Sequence, residues 1–247
     1  MRHVPESALV EWIERCATDA REAPSVTVSA AHHDEYLLLH GLIVRTFRYS
    51  NAYLTLVKAG MEGEAVPLAR AALEHAVTLQ WVFVVDGGVT RYRNTVAHDR
   101  VDHFRSLAEW LDNDELREAL CQLDPIPKGK QLGKFTDMMR DLDDKKFLQM
   151  SYRILSQHVH VTHSAVTAFL TEGEEGELHI LYEQEYAYRS QATYVCAIAC
   201  MMARWVLARL TNDEELLIEL DQLSDELQLP MNLTDNVKPP LTRRTGI

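Results

Sequence analysis

Glycine and proline are scarce in this chain, ten and eight in 247 residues, and many of them fall in short breaks. So few breakers leave long uninterrupted stretches, and the chain reads as long helices joined by short loops. Four cysteines do not make a disulfide framework at this length. There is no phosphate loop, no Gly-x-Gly-x-x-Gly after a strand, no Cys-x-x-Cys and no His-Glu-x-x-His, so the common nucleotide, redox and zinc-hydrolase signatures are missing. Internal repeats and low-complexity runs are absent as well. The first turns carry Glu6, Glu11 and Glu14 where a signal peptide would have a basic start and an apolar core. The apolar run around 194–210 is interrupted by Arg204 and Arg209 and is short for a membrane span. The reading is a cytoplasmic protein with no membrane partner.

What is present is enough apolar residue to bury a sizeable core, 47% of the chain, with 25% charged. The net charge of −12 opposes tight nonspecific nucleic-acid binding by overall charge. It leaves room for a local basic patch, and Arg91, Arg93, Arg100 and Arg105 fall close together. Hydrophobic periodicity predicts helices over 5–22, 29–59, 64–85, 89–111, 113–122, 131–141, 144–170, 185–210 and 213–227. Leu178–Tyr182 is short enough for an extended segment or hairpin arm. Asp124-Pro125-Ile126-Pro127 is the most loop-like interior stretch, yet the helices on either side are too apolar to stand alone. The expectation is an all-α, single helical-bundle domain over 1–230, with a flexible C-terminal tail over 231–247.

The segment from Leu68 to Val85 is apolar nearly all round, the mark of a buried helix. It is expected at the centre of the bundle, with Pro67 near its first turn, where a missing amide hydrogen costs little. Arg70 and Glu74 are its main charges, four residues apart on one face. Neither can be buried without a partner. They form a structural ion pair, or one of them lines a polar pocket and binds substrate there.

The richest chemistry lies in Tyr152-Arg153-Ile154-Leu155-Ser156-Gln157-His158-Val159-His160-Val161-Thr162-His163. On a regular helix Tyr152, Arg153, Ser156, His160 and His163 cluster on one side, opposite His158. Arg153 and His160 lie two turns apart and can bracket one phosphate-sized group. The arginine would hold the phosphate bidentately. The imidazole would move a proton to or from a ribose hydroxyl, with Tyr152 and Ser156 positioning the phosphate. Metal readings are weaker. His160 and His163 have no placed carboxylate. His32 and His33 point about 100° apart on a helix, and Cys196 and Cys200 have no matching second pair. A di-iron bundle would need inward Glu-x-x-His pairs, for which only Glu74 is available. No cofactor is implied.

Two resemblances attach to these residues. Arg153-x-x-x-x-x-x-His160, like Arg153 to His158 at the shorter spacing and Arg93-Asn94-Thr95-Val96-Ala97-His98, resembles the Arg-x(4–6)-His signature of HEPN domains. Many of those helical proteins are ribonucleases in bacterial defence and toxin systems. This resemblance implies RNA as a possible substrate and a homodimer with two Arg/His motifs across a shared cleft. The apolar 185–210 helix, with more hydrophobic surface than one small bundle covers, points to a homodimer too. Gly60, Glu64, Ala65, Leu68, Arg70 and Glu74, followed by Tyr152, Ser156 and His160, resemble the DUF5677 family over about residues 35–170. That likeness implies an all-helical domain and brings no activity.

Three functions stay open: a metal-independent ribonuclease acting through Arg153, His160, Ser156 and Tyr152; a non-catalytic helical module binding a small molecule or protein in the same pocket; and a helical metal-dependent oxidase.

Overall fold

A helix with almost no polar face can be stable only when other elements surround it. The computed structural model describes residues 4–23, 25–122, 128–143, 145–160, 162–173, 176–182 and 186–246, and such a helix is at its centre. This is α3, Glu62–Val84. It packs between α2 (His33–Lys58) and α9 (Arg189–Thr211), with α4 (Gly88–Trp110), α6 (Phe135–Leu142) and α7 (Phe147–Val159) against its remaining sides. Ala65, Ala69, Ala72 and Ala76 are completely buried along it. Their short side chains let neighbouring axes close in. The run from Leu79 to Val84 is buried at every position.

The remaining elements complete a helical bundle. α1 (Glu6–Glu22) lies on α2 and α9, and α10 (Glu214–Leu227) on α9. α5 (Asp114–Cys121) starts where Asn113 accepts a hydrogen bond from the Leu116 amide, as the Asp112-Asn113 pair predicts. α8 (His163–Thr167) leads into the only sheet among the described residues, an antiparallel pair of β1 (Leu170–Glu172) and β2 (Leu178–Ile180). The fold is all-α, as predicted. The break expected at Pro24, the Pro125/Pro127 loop, Asp144, Val161, Glu174, Glu175 and Ile247 lie outside the described residues.

Four details differ from the sequence reading. The helix expected over 144–170 ends at Val159. His160 takes an extended backbone (φ −98°, ψ 159°), and Thr162 caps α8 by accepting from the Ala165 amide. α3 begins at Glu62, so Pro67 sits inside it, beyond the first turn. There it lacks the N–H that would reach the Gly63 carbonyl. The apolar helix α9 is covered by α1, α2, α3 and α10. It is long and apolar enough to cross a membrane, but 78% of its apolar window is buried inside the molecule, so its surface gives no reason for a second copy. Residues 231–246, read as a tail, lie along the C-terminal end of α3. Asp86 donates its amide to Thr242 at 2.9 Å and Arg244 donates its amide to Val84 at 2.8 Å. The Arg244 guanidinium pairs with Glu35 at 2.6 Å and lies over the Phe83 ring.

The α3–α4 corner is tight. Gly87 has φ 71°, and a Cβ on Gly88 would sit 2.4 Å from the Val82 carbonyl oxygen. Gly87→Ala should cost about 1–2 kcal/mol from its left-handed backbone. Gly88→Ala should cost more, because two backbone segments must separate. Urea denaturation of the two variants checks the order, and an equal or smaller loss for Gly88→Ala would refute the close approach.

Candidate functional site

α3 carries its two charges toward α7. Arg70 and Glu74 are one turn apart, and the Arg70 Nε donates to Glu74 Oε1 at 3.1 Å. The Arg70 Nη2 donates to the Tyr152 hydroxyl at 2.6 Å, and that hydroxyl donates to the same Glu74 oxygen at 3.0 Å. The three groups close a ring of charge-assisted hydrogen bonds. The Arg70 carbon Cζ lies 4.8 Å from the Tyr152 ring centroid, and Phe135 packs on that ring at 4.9 Å. Aromatic packing and the carboxylate therefore fix the plane of the guanidinium.

The remaining edge of Arg70 faces outward. Its Nη1 is 3.3 Å from His160 Nε2, and His160 is exposed while the Arg70 side chain keeps 18% of its surface in solvent. An arginine N–H can only donate. Nε2 is thus the acceptor in this contact, and the neutral imidazole carries its proton on Nδ1.

Of the six residues singled out from sequence, Arg70, Glu74, Tyr152 and His160 meet in one network. Ser156 is adjacent and half-buried, but its hydroxyl donates to the Tyr152 carbonyl at 2.6 Å, a bond within its own helix. Arg153 is exposed and lies outside the network. Because α7 stops at Val159, the two-turn spacing from Arg153 to His160 does not hold, and the arginine that meets His160 comes from α3. Helical spacing within one segment carries no signal for a pairing between two helices.

The other candidates lie elsewhere. Arg93 is exposed and His98 half-buried on α4. His163 is exposed at the start of α8, and His158 lies against Tyr186. His75 bonds the Ala71 carbonyl and packs on Tyr49. His32 pairs with Glu35 and His33 with Asp34. Cys196 and Cys200 are free and buried, in line with packing. Among the described residues no group of three or more His, Cys, Asp or Glu is placed to hold a metal ion.

The same stretches carry a family relationship. A family model described as "Family of unknown function (DUF5677)" matches residues 36–178, more than half of the chain. The chain belongs to DUF5677. The match spans α2 to β2 and so includes both walls of the Arg70 network. Comparisons of this DUF5677 chain with curated proteins and with solved structures give no match.

Burial, and then the hydrogen bond to Glu74, raise the Tyr152 pKa above the ordinary tyrosine value. A group whose pKa is higher folded than unfolded contributes stability that is present below the unfolded value and lost as pH rises through the folded one. Stability should therefore fall above about pH 10. Tyr152→Phe should remove part of that fall while lowering stability at neutral pH by about 0.5–1.5 kcal/mol. Urea midpoints measured across the alkaline range check this, and identical slopes in both proteins would break the link to Tyr152.

Proposed function

We propose that this protein is a HEPN-like, metal-independent ribonuclease of the kind found in bacterial toxin and defence systems. The observation that carries the reading is the contact between Arg70 Nη1 and His160 Nε2 on the exposed edge of an anchored guanidinium. A phosphate diester arriving there would take the Nη1 donor from His160. The freed Nε2 would accept the proton of the neighbouring 2′-hydroxyl. The 2′-oxygen forms a bond to phosphorus, the bond to the 5′-oxygen breaks, and the imidazolium returns its proton to that leaving oxygen. The products are a 2′,3′-cyclic phosphate and a free 5′-hydroxyl. Arg70 would stabilise charge on the phosphoryl oxygens. Tyr152 and Glu74 hold it in place, with Ser156 supporting Tyr152 from its own helix. Arg153, exposed one residue along, would meet a flanking phosphate. Two copies facing each other across these clusters would be the arrangement that the HEPN resemblance implies.

A second reading is a non-catalytic module that binds its ligand at the same site. It is favoured by the Arg70–Glu74 pair, which offsets the positive charge an anion would seek. The metal-dependent oxidase draws no support from the donor groups of the described residues.

The test is cleavage of a mixed RNA pool in EDTA, with thermal melts alongside. His160→Ala should lose about 10²–10⁴-fold in rate and keep its fold. Arg70→Lys should fail as well, because lysine cannot serve Glu74, Tyr152 and a phosphate in one plane. Arg153→Ala should weaken binding and flatten its salt dependence. Failure of the wild type to cleave, or full activity in His160→Ala, would leave the binding module as the better reading.

A further inference from the structure

Residues 128–134 read Lys-Gly-Lys-Gln-Leu-Gly-Lys, with no acid among them, in a chain whose net charge is −12. Lys128, Lys130 and Lys134 are all exposed. Among the described residues the only lysine in an ion pair is Lys58, on Glu14. The nearest described acid after the loop, Asp137, is already held by Arg140 at 2.6 Å. The three ammonium groups therefore keep their full charge for a ligand.

The loop is fixed to α4. Asn94, only 6% exposed, donates its side-chain amide to the Lys130 carbonyl at 3.0 Å. The Leu132 amide donates to the Thr95 hydroxyl at 2.9 Å. A Cβ on Gly129 would run into the Asn94 side chain, so the loop backbone lies directly on that residue. Leu132 packs against the core while the lysines stay at the surface.

From there the chain runs into the candidate site. Lys134 is the N-cap residue of α6, and the next residue, Phe135, packs on the Tyr152 ring at 4.9 Å. The Arg70 guanidinium lies 4.8 Å from the same ring and reaches His160 at 3.3 Å. Arg93, next to Asn94, and Arg153, next to Tyr152, are exposed and lack ion pairs among the described residues. Lys128 and Lys134 are six residues apart, a reach of at most about 20 Å. Charges spread along an extended backbone suit a repeating anion better than a single one. Lysine meets a phosphate as a point charge and needs no fixed angle to do so.

We infer that the 128–134 loop is a phosphate track, which holds the backbone of a single-stranded RNA beyond the nucleotide at Arg70 and His160. Attack by a neighbouring 2′-oxygen needs a backbone free to rotate, hence a single strand. Contacts of this kind set position and carry no sequence information. The track rests on the ribonuclease reading for its choice of RNA, and binding along it does not depend on cleavage.

The test uses a labelled 2′-O-methyl oligonucleotide, whose 2′-oxygen has no proton to give and which is therefore not cleaved. Its binding to the full chain is followed by fluorescence anisotropy over a range of salt concentrations, with cleavage of RNA of the same sequence assayed in parallel. Each Lys→Gln change at 128, 130 or 134 should reduce the slope of log K against log salt by about 0.7. The triple variant should bind about ten- to a hundredfold more weakly at low salt, with an unchanged melting temperature. Lysine-dependent binding by a wild type that cleaves no RNA would uphold the track and remove the nuclease. Cleavage by the wild type, with the slope and affinity of the triple variant unchanged, would remove the track and keep the nuclease. Polyglutamate that competes as well as the oligonucleotide at equal charge would overturn the track in favour of an acidic protein partner.

Discussion

The position of α7 depends on how two charges on α3 are satisfied. α3 is buried along most of its length, and on its half-buried side it carries a guanidinium and a carboxylate one turn apart. Leaving either without a partner in such surroundings costs several kcal/mol. The Tyr152 hydroxyl bonds both, which ties α7 to one rotation and height against α3. Since Arg70 and Glu74 remain partly solvated, the ring contributes more to register than to net stability. Phe135 supports the same tyrosine from α6. His160 leaves the end of α7 within reach of Arg70 because the rest of the helix has been set in place.

Much of this was legible in the sequence. A run from Leu68 to Val85 with two charges four apart permits little else than a buried helix with a polar notch. Tyr152, Ser156 and His160 at intervals of four marked the face that meets it. The only sequence signal for the break after Val159 is Thr162, a good cap for the helix that follows. No glycine or proline punctuates that stretch, and the histidines suggested one continuous face. Spacing pairs Arg153 rather than Arg70 with His160, because it ranks neighbours on one helix and is blind to residues ninety positions away.

The C-terminal strap and a cavity beside Tyr186 were hidden for different reasons. The strap is held largely by main-chain bonds to Val84 and Asp86 and by Arg244 on Glu35, and main-chain pairing leaves little trace in side-chain pattern. The cavity joins the loop before α3, the last turn of α7, the end of the hairpin and the residue that opens the approach to α9. None of these segments supplies more than a few of the lining residues, too few to form a motif in any single segment.

The cover over α3 has a consequence for how the chain can be divided. The family match runs from 36 to 178, but α1, α9 and the strap over Val84–Asp86 lie outside it. α9 forms one of the two walls that bury the middle of α3. The matched stretch is thus an open half-shell whose lining is the most apolar helix of the molecule. A chain that kept only this half would have to borrow its other wall from a different segment or a different molecule. What defines the family by sequence and what closes the structure are two different parts of the polypeptide.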